Sequence, residues 1–170
     1  MWFDRQAEEA MNWYVEIFNA SPKQQGSSRI ISIERYPEGP LIGPMQGLEN
    51  KVLSGTFELA GQRFMALDGG PFFQPNGAVS FYIDCDSQEE VDHYWDRLTQ
   101  DGDPAAQQCG WLKDKFGFSW QVIPTALPQM MSHPNKAISN QVMQAMLQMK
   151  KIDVAVLEKA YNDALNTSAA

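Results

Sequence analysis

Cysteine and histidine are scarce, with two of each in 170 residues. Cys85 and Cys109 are too few for a disulfide framework and do not form a Cys-x-x-Cys pair. A buried thiol is expected at each position, since free cysteine is among the most buried residue types. For Cys109 a reactive thiol is the alternative, because the glycine that follows could leave it accessible. We expect a reduced protein in the cytoplasm.

Basic clusters and long apolar runs are also missing. The 21 acidic residues outnumber the 13 basic ones, which gives a net charge of −8. Without a patch of lysine and arginine to neutralise phosphates, nucleic-acid binding is not expected. No apolar run is long enough to cross a bilayer, and an acidic pair stands where a signal peptide would be apolar, so no membrane association is expected.

The sequence contains no common catalytic or cofactor motif. It has no phosphate-binding loop and no Gly-x-Ser-x-Gly. The glycine pair Gly69-Gly70 is followed by Pro71 and an extended segment, whereas a cofactor-binding turn should open a helix. Asp84 and Asp86 form an acidic pair beside a helix start, where capping explains them. We therefore assign no catalytic residue and expect no cofactor.

An internal repeat is the main positive feature. Residues 109–124 predict a hairpin closed by Pro124, and residues 57–67 repeat it 56 positions earlier. Residues 2–18 resemble residues 83–98 at an offset of 81. The two pairs of similar segments occur in the same order along the chain, which indicates that one structural module is used twice. They predict an α+β fold of two β-α-β-β-β modules that form curved mixed sheets, followed by C-terminal helices.

The predicted boundaries follow from composition and periodicity. The first module spans residues 1–73 and includes a long Pro- and Gly-rich loop at 37–51, for which a functional role and disorder are both open. The second module spans residues 78–124, with a short strand near 107–109. A helical extension covers residues 125–170.

The C-terminal extension carries a broad apolar stripe rich in methionine. Helices are predicted over 137–150 and 153–165, the second with Val156 and Leu157 facing inward. Methionine stripes fill cores and also serve as binding surfaces. A stripe this broad needs cover from the sheet or from a second subunit, so we expect a homodimer.

The motifs resemble those of the PhnB-like branch of the vicinal-oxygen-chelate superfamily, often labelled 3-demethylubiquinone-9 3-methyltransferase. That superfamily contains glyoxalase I, bleomycin-resistance proteins and extradiol dioxygenases. The resemblance covers nearly the whole chain and rests on five segments, at residues 2–18, 57–72, 78–98, 109–124 and 142–161. It identifies a family more specifically than a reaction.

The resemblance implies a place for metal ligands on the first and last strands of each module. In this chain those places hold Gln121, Met65 and a residue near Val79. One amide cannot hold a divalent ion that needs three or more donors. His93, on a helix, and His133, in a loop, have no partner at ligand spacing. We therefore expect no metal.

Strand alternation then predicts a pocket. If Met65 and Gln121 face the concave side, the residues two positions away face it as well. Phe64, Ala66, Trp120 and Val122 should face the helices. Trp111 is a gate or a core residue. The expected lining residues are Met65, Leu67, Val79, Phe81, Trp111, Ser119, Gln121 and Ile123, together with Ile83 by alternation.

Such an apolar pocket suits an apolar or aromatic small molecule. The first hypothesis is a metal-independent binding protein of the glyoxalase and bleomycin-resistance type. The alternatives are an enzyme of the same superfamily, either a lyase or isomerase or the labelled methyltransferase, and a structural or regulatory dimer whose concave face is filled.

Overall fold

Two open mixed sheets organise the chain, one of four strands and one of three. The computed structural model describes residues 1–23 and 27–168. The chain divides into two units, residues 1–75 and 76–170. The predicted α+β fold class with C-terminal helices is confirmed.

The first unit has the predicted β-α-β-β-β order. Its strands lie in the order β1-β4-β3-β2, with β1 parallel to β4 and the other pairs antiparallel. The elements are β1 (Trp2–Phe3), α1 (Ala7–Asn19), β2 (Arg29–Arg35), β3 (Val52–Leu59) and β4 (Gln62–Asp68).

Helix α1 packs on one face of this sheet. Tyr14 of α1 stacks on Phe57 of β3, with ring centroids 6.4 Å apart. Gly55 allows close approach, because a Cβ atom there would lie 2.5 Å from Met11 Sδ. Asp68 fixes the start of the helix by accepting a 2.8 Å hydrogen bond from the Ala7 amide.

The long loop at 37–51 is closed at its base and anchored to the unit. The Tyr36 amide donates to the Lys51 carbonyl at 2.9 Å. The Tyr36 hydroxyl donates to the Asp68 carbonyl at 2.7 Å. Leu48, within the loop, is buried. These contacts tie the loop to strand β4.

The second unit contains a three-stranded sheet of order β5-β7-β6, with β5 parallel to β7 and β6 antiparallel to it. Its elements are β5 (Ser80–Cys85), α2 (Gln88–Leu98), β6 (Trp111–Lys113), β7 (Ser119–Pro124), α3 (Ala126–Met131), α4 (Lys136–Met146) and α5 (Val154–Ser168).

The prediction of a short strand near residues 107–109 is wrong. Within the described part of the chain only Gln108 makes a bridge there, to Trp111. Cys109 and Gly110 have φ angles of 52° and 83°, which interrupts an extended strand. Their amides donate instead to the Met149 and Lys150 carbonyls at 2.9 and 2.8 Å. The second module is therefore β-α-β-β.

The C-terminal helices form a core of their own with the end of β7. Ile123, Leu127, Val142, Ile152 and Leu157 are buried in this cluster. Four methionines belong to it or pack against it: Met130, Met131, Met146 and Met149. The methionine stripe is thus covered within the unit. The prediction that Val156 faces inward is wrong, since this side chain is 47% exposed.

No helix in residues 1–23 or 27–168 combines the length and apolar character needed to cross a membrane.

Candidate functional site

The β6–β7 hairpin, which forms one side of the candidate site, is built around Asp114. This buried carboxylate accepts hydrogen bonds from the Phe116 and Phe118 amides at 2.9 and 3.0 Å. It also accepts from Trp120 Nε1 at 2.7 Å. Gly117 supplies the left-handed turn residue, with φ 89°. One side chain therefore holds the turn and fixes the indole of Trp120.

One face of the three-stranded sheet packs against helix α2. Phe81 of β5 pairs with Trp120 of β7, which pairs with Leu112 of β6. Directly paired residues project to the same face. Trp120 and Leu112 are each 1% exposed, and the Phe81 ring lies 4.9 Å from that of Trp120. Trp120 and Leu112 of this row belong to the core, and the half-buried Phe81 packs against Trp120 at its edge.

The opposite face, which we call the open face, carries the candidate site. Its central row joins Tyr82 of β5, Gln121 of β7 and Trp111 of β6, each directly paired with the next. Tyr82 is 50% exposed and Trp111 is 38% exposed. Strands lie about 4.8 Å apart, so the two aromatic residues stand roughly 10 Å apart at their Cα atoms, with Gln121 between them.

A second row on the open face is polar. It joins Ser80, Ser119 and Lys113 by direct pairing. Gln121 Nε2 donates to Ser80 Oγ at 2.8 Å, which connects the two rows and orients the amide. The Gln121 Oε1 atom accepts no hydrogen bond from any residue that the structure describes and is available to a ligand.

Local electrostatics keep the tyrosine of this face neutral. Burial, followed by the nearby Asp84 and Cys85, raises the pKa of Tyr82 above its ordinary value. Its phenol therefore stays protonated at neutral pH and can donate a hydrogen bond. Burial also raises the pKa of Cys85 to about 12, with Glu90 and Asp84 adding to the effect, so this thiol is inert.

The predicted orientation of β4 and β7 is confirmed. Phe64 stacks on Phe57 under helix α1, with centroids 5.4 Å apart, and Ala66 is fully buried. Met65 and Leu67 face the other way, with Met65 62% exposed. Both lie in the first unit, whereas the other predicted lining residues lie in the second.

The predicted orientation of β5 is wrong by one residue. Phe81 and Ile83 face helix α2 together with Trp120 and Val122, and Val79 lies before the strand, 71% exposed. The physical cause is the apolar alternation of the strand itself, because burial of Phe81, Ile83 and Cys85 against α2 leaves the more polar Ser80, Tyr82 and Asp84 on the other face.

Ile123 lies on the predicted side of β7, the same side as Gln121, but has a different role. It is 7% exposed and packs in the C-terminal core, where its Cδ1 atom lies 2.6 Å from the position that a Cβ on Gly110 would occupy. Trp111, Ser119 and Gln121 are the predicted lining residues that the structure brings together on the open face.

The prediction missed Ser80, Tyr82, Asp84 and Lys113, which also lie on this face. The signal for β5 was present, because Phe81, Ile83 and Cys85 alternate with the polar or amphipathic Ser80, Tyr82 and Asp84. Lys113 follows from Trp111 by the same two-residue alternation.

Metal ligands do not converge anywhere in the described residues: no group of three His, Cys, Asp or Glu side chains is placed to hold an ion. Both histidines make structural contacts instead. The His133 ring lies 5.7 Å from that of Tyr161, and its Nδ1 accepts from the Asn135 amide at 3.1 Å. His93 contacts the Tyr94 ring at 5.2 Å.

Two concave regions of the second unit lie among the C-terminal helices. One, of about 430 Å³, lies along α4 and α5 beside Gln141 and Asp163. The other, of about 450 Å³, lies along α3 and α5 beside Gln129 and Glu158. None of the predicted lining residues borders either region.

Comparison with known proteins agrees with this description. A family model described as 3-demethylubiquinone-9 3-methyltransferase matches residues 1–123. No curated protein matches the sequence. A solved structure of a PhnB protein from Bacillus cereus, provisionally named a 3-demethylubiquinone-9 3-methyltransferase, is 39% identical over 71% of this chain and 92% of its own, with a TM-score of 0.54.

A crystal structure of a protein from Pseudomonas aeruginosa shares the fold at 17% identity. It matches over 71% of this chain and 90% of its own, with a TM-score of 0.52. The family model spans well over half of the sequence, and the Bacillus cereus relative exceeds a third identity. The chain therefore belongs to the 3-demethylubiquinone-9 3-methyltransferase, or PhnB-like, family.

Proposed function

We propose that this protein is a metal-independent binding protein for an apolar or aromatic small molecule, of the glyoxalase and bleomycin-resistance type within the vicinal-oxygen-chelate superfamily. The observation that carries the proposal is the row Tyr82–Gln121–Trp111 on the open face. Two partly exposed aromatic residues flank an amide that donates one hydrogen bond to Ser80 and whose oxygen accepts none within residues 1–23 and 27–168. Aromatic walls with one placed polar group are typical of small-molecule sites.

The composition of the site supports binding without a metal. The position at which the superfamily resemblance places a ligand on β7 holds Gln121, and its amide donates to Ser80. Its counterpart in the first unit is Met65, whose thioether is a poor ligand for hard ions. The proposed contacts are therefore Tyr82, Trp111, Ser119 and Gln121, all of which lie in the second unit.

Calorimetric titration of the full chain with planar aromatic compounds tests this function. We expect saturable binding that is unchanged after treatment with a chelator. Trp111→Leu and Tyr82→Leu should weaken binding by about tenfold each, consistent with the loss of about 1.4 kcal/mol of ring contact. Tyr161→Leu, a tyrosine that contacts His133 in the C-terminal helices, is the matched control and should bind normally.

Two results would overturn the proposal. One is the absence of saturable binding by any compound in the series. The other is one tightly held transition-metal ion per purified chain whose removal abolishes binding.

The second candidate function is the methyltransferase activity that the family description names. The glycine pair does not offer a cofactor site: the Trp2 ring fills the space beside Gly69, where a Cβ would lie 2.2 Å from it. Trp2 Nε1 also donates to the Gly70 carbonyl at 2.8 Å. A thermal shift with S-adenosylmethionine would favour this candidate, and its absence is the result we expect.

We also propose a cytoplasmic location, which the unpaired state of both cysteines supports. Fractionation of producing cells with a periplasmic and a cytoplasmic marker tests it. Recovery with the periplasmic marker would contradict it.

A further inference from the structure

We propose that the open face of the second unit selects an aromatic monocarboxylate, with the ring between Tyr82 and Trp111 and the carboxylate at Lys113. This inference rests on the proposed function and adds the charge and orientation of the ligand. The observation behind it is that the aromatic row of the open face lies beside a second row that ends in Lys113.

The ring site is defined by the central row. Gln121 forms its floor, and Tyr82 and Trp111 stand on the neighbouring strands at its two sides. A planar ring that lies on the amide can contact both aromatic side chains. The protonated Tyr82 phenol and the free Gln121 oxygen supply one donor and one acceptor at the ring edge.

The anion site is defined by the second row. Lys113 follows Trp111 by two residues on the same face, roughly 6.8 Å further along the strand. Ser119 and Ser80 complete this row. Ser80 accepts from Gln121, so its own hydroxyl hydrogen is free to be donated to a carboxylate. A ring substituent of one or two bonds reaches from the first row to the second.

The lysine is not engaged elsewhere. No side-chain hydrogen bond or ion pair involves Lys113 in residues 1–23 and 27–168. The neighbouring Asp114 is 2% exposed and is committed to the turn amides and to Trp120. Asp103, whose amide bonds to the Lys113 carbonyl, uses its carboxylate to cap the Ala105 amide. A partly exposed cation without a counter-ion favours an anionic ligand.

The charged residues of the open face also determine how the ligand is oriented and how many negative charges it carries. Asp84 lies two residues from Tyr82 on the same face, at the corner diagonally opposite Lys113. It repels an anion at that end and directs the carboxylate to the lysine. A single cation with two hydroxyls suits one negative charge. The net charge of −8 disfavours a polyanion such as a diphosphate.

Calorimetry on the full chain with three probes tests the proposal. The probes are 2-naphthoate, its neutral analogue 2-naphthamide, and cyclohexanecarboxylate, an anion without an aromatic ring. We expect 2-naphthoate to bind about tenfold more tightly than 2-naphthamide, and cyclohexanecarboxylate to bind more weakly than either.

Variants assign the effect to its residues. Lys113→Met should remove the preference for 2-naphthoate and leave 2-naphthamide unchanged, while Lys113→Arg should retain the preference. Lys159→Met removes the same charge from the exposed face of α5 and is the matched control. Circular dichroism confirms that each variant is folded.

The outcomes separate this inference from the function it rests on. Equal affinity for 2-naphthoate and 2-naphthamide overturns the inference and leaves aromatic binding intact. A preference that survives in Lys113→Met also overturns it. The absence of saturable binding by all three probes overturns the inference and the proposed function together.

Discussion

Asp114 shows how one residue determines the geometry of the candidate site. Its carboxylate satisfies two turn amides and the Trp120 indole while only 2% exposed. Trp120 is in turn a central member of the core row under the sheet. A buried carboxylate with three donors stabilises both the turn and the packing beneath it.

Replacing this carboxylate is expected to be costly. Asp114→Ala leaves the buried Trp120 indole N–H and two partly buried turn amides without their acceptor and should lower the free energy of unfolding by about 2–4 kcal/mol. Urea denaturation measures this. Asp103→Ala removes an exposed carboxylate that caps one amide and should cost about 1 kcal/mol or less. Equal losses in the two variants would contradict the central role of Asp114.

The two cysteines should differ sharply in reactivity. The pKa of Cys85 is raised to about 12, so its thiol remains protonated at pH 7–9 and is shielded by burial. Cys109 is partly exposed. Alkylation with iodoacetamide, followed by mass spectrometry, should modify one thiol in the folded protein and both in urea. Modification of Cys85 at the same rate as Cys109 under native conditions would contradict this burial.

At the scale of elements, the face that β5 presents decides which residues belong to the site. Phe81 faces α2 and Tyr82 faces outward. Phe81→Ala should therefore lower stability by about 2–3 kcal/mol, as expected when an aromatic ring is removed from a core. Tyr82→Ala should cost about 1 kcal/mol or less. Thermal unfolding of both variants, with the wild type as reference, tests this orientation of β5. A larger loss of stability in Tyr82→Ala than in Phe81→Ala would contradict it.

Most of the fold followed from local patterns, and the failures have identifiable causes. Helix α2 begins at a capping box formed by residues close in sequence: the Glu90 amide donates to Ser87 Oγ at 3.2 Å, and Glu90 Oε2 accepts from the Asp86 amide at 2.6 Å. Both hairpins also lie where turn residues place them. Such features depend on residues close in sequence.

The errors arose where one residue changes the geometry. The positive φ angles at Cys109 and Gly110 removed a predicted strand. On β5 the apolar residues Phe81, Ile83 and Cys85 pack toward α2, which is one residue out of step with the predicted facing of Val79, Phe81 and Ile83. A one-residue shift moves every side chain of a strand to the other face. The site was therefore half predicted, through Trp111, Ser119 and Gln121, and half missed, through Ser80, Tyr82 and Lys113.

At the scale of the whole molecule, the structure changes the argument for a dimer. The methionine stripe of α4 was expected to need cover from the sheet or from a second subunit, and residues of α3, α5 and β7 pack with it within the second unit. The first unit carries an exposed aromatic surface of its own. Phe72 and Phe73 are 59% and 64% exposed, and Phe73 contacts the Trp2 ring at 4.9 Å.

This aromatic surface predicts self-association. Large exposed apolar side chains that lie close together are typical of interaction surfaces, and Met65 is also exposed in the same unit. Light scattering at micromolar concentration should give twice the chain mass of 19.2 kDa. Phe73→Ser should shift the equilibrium toward the monomer because it removes apolar area from the interface. Val156→Ser, on the exposed side of α5, should leave the dimer intact. A wild-type mass of one chain across this concentration range would contradict the prediction, and the exposed aromatic surface would then need another partner.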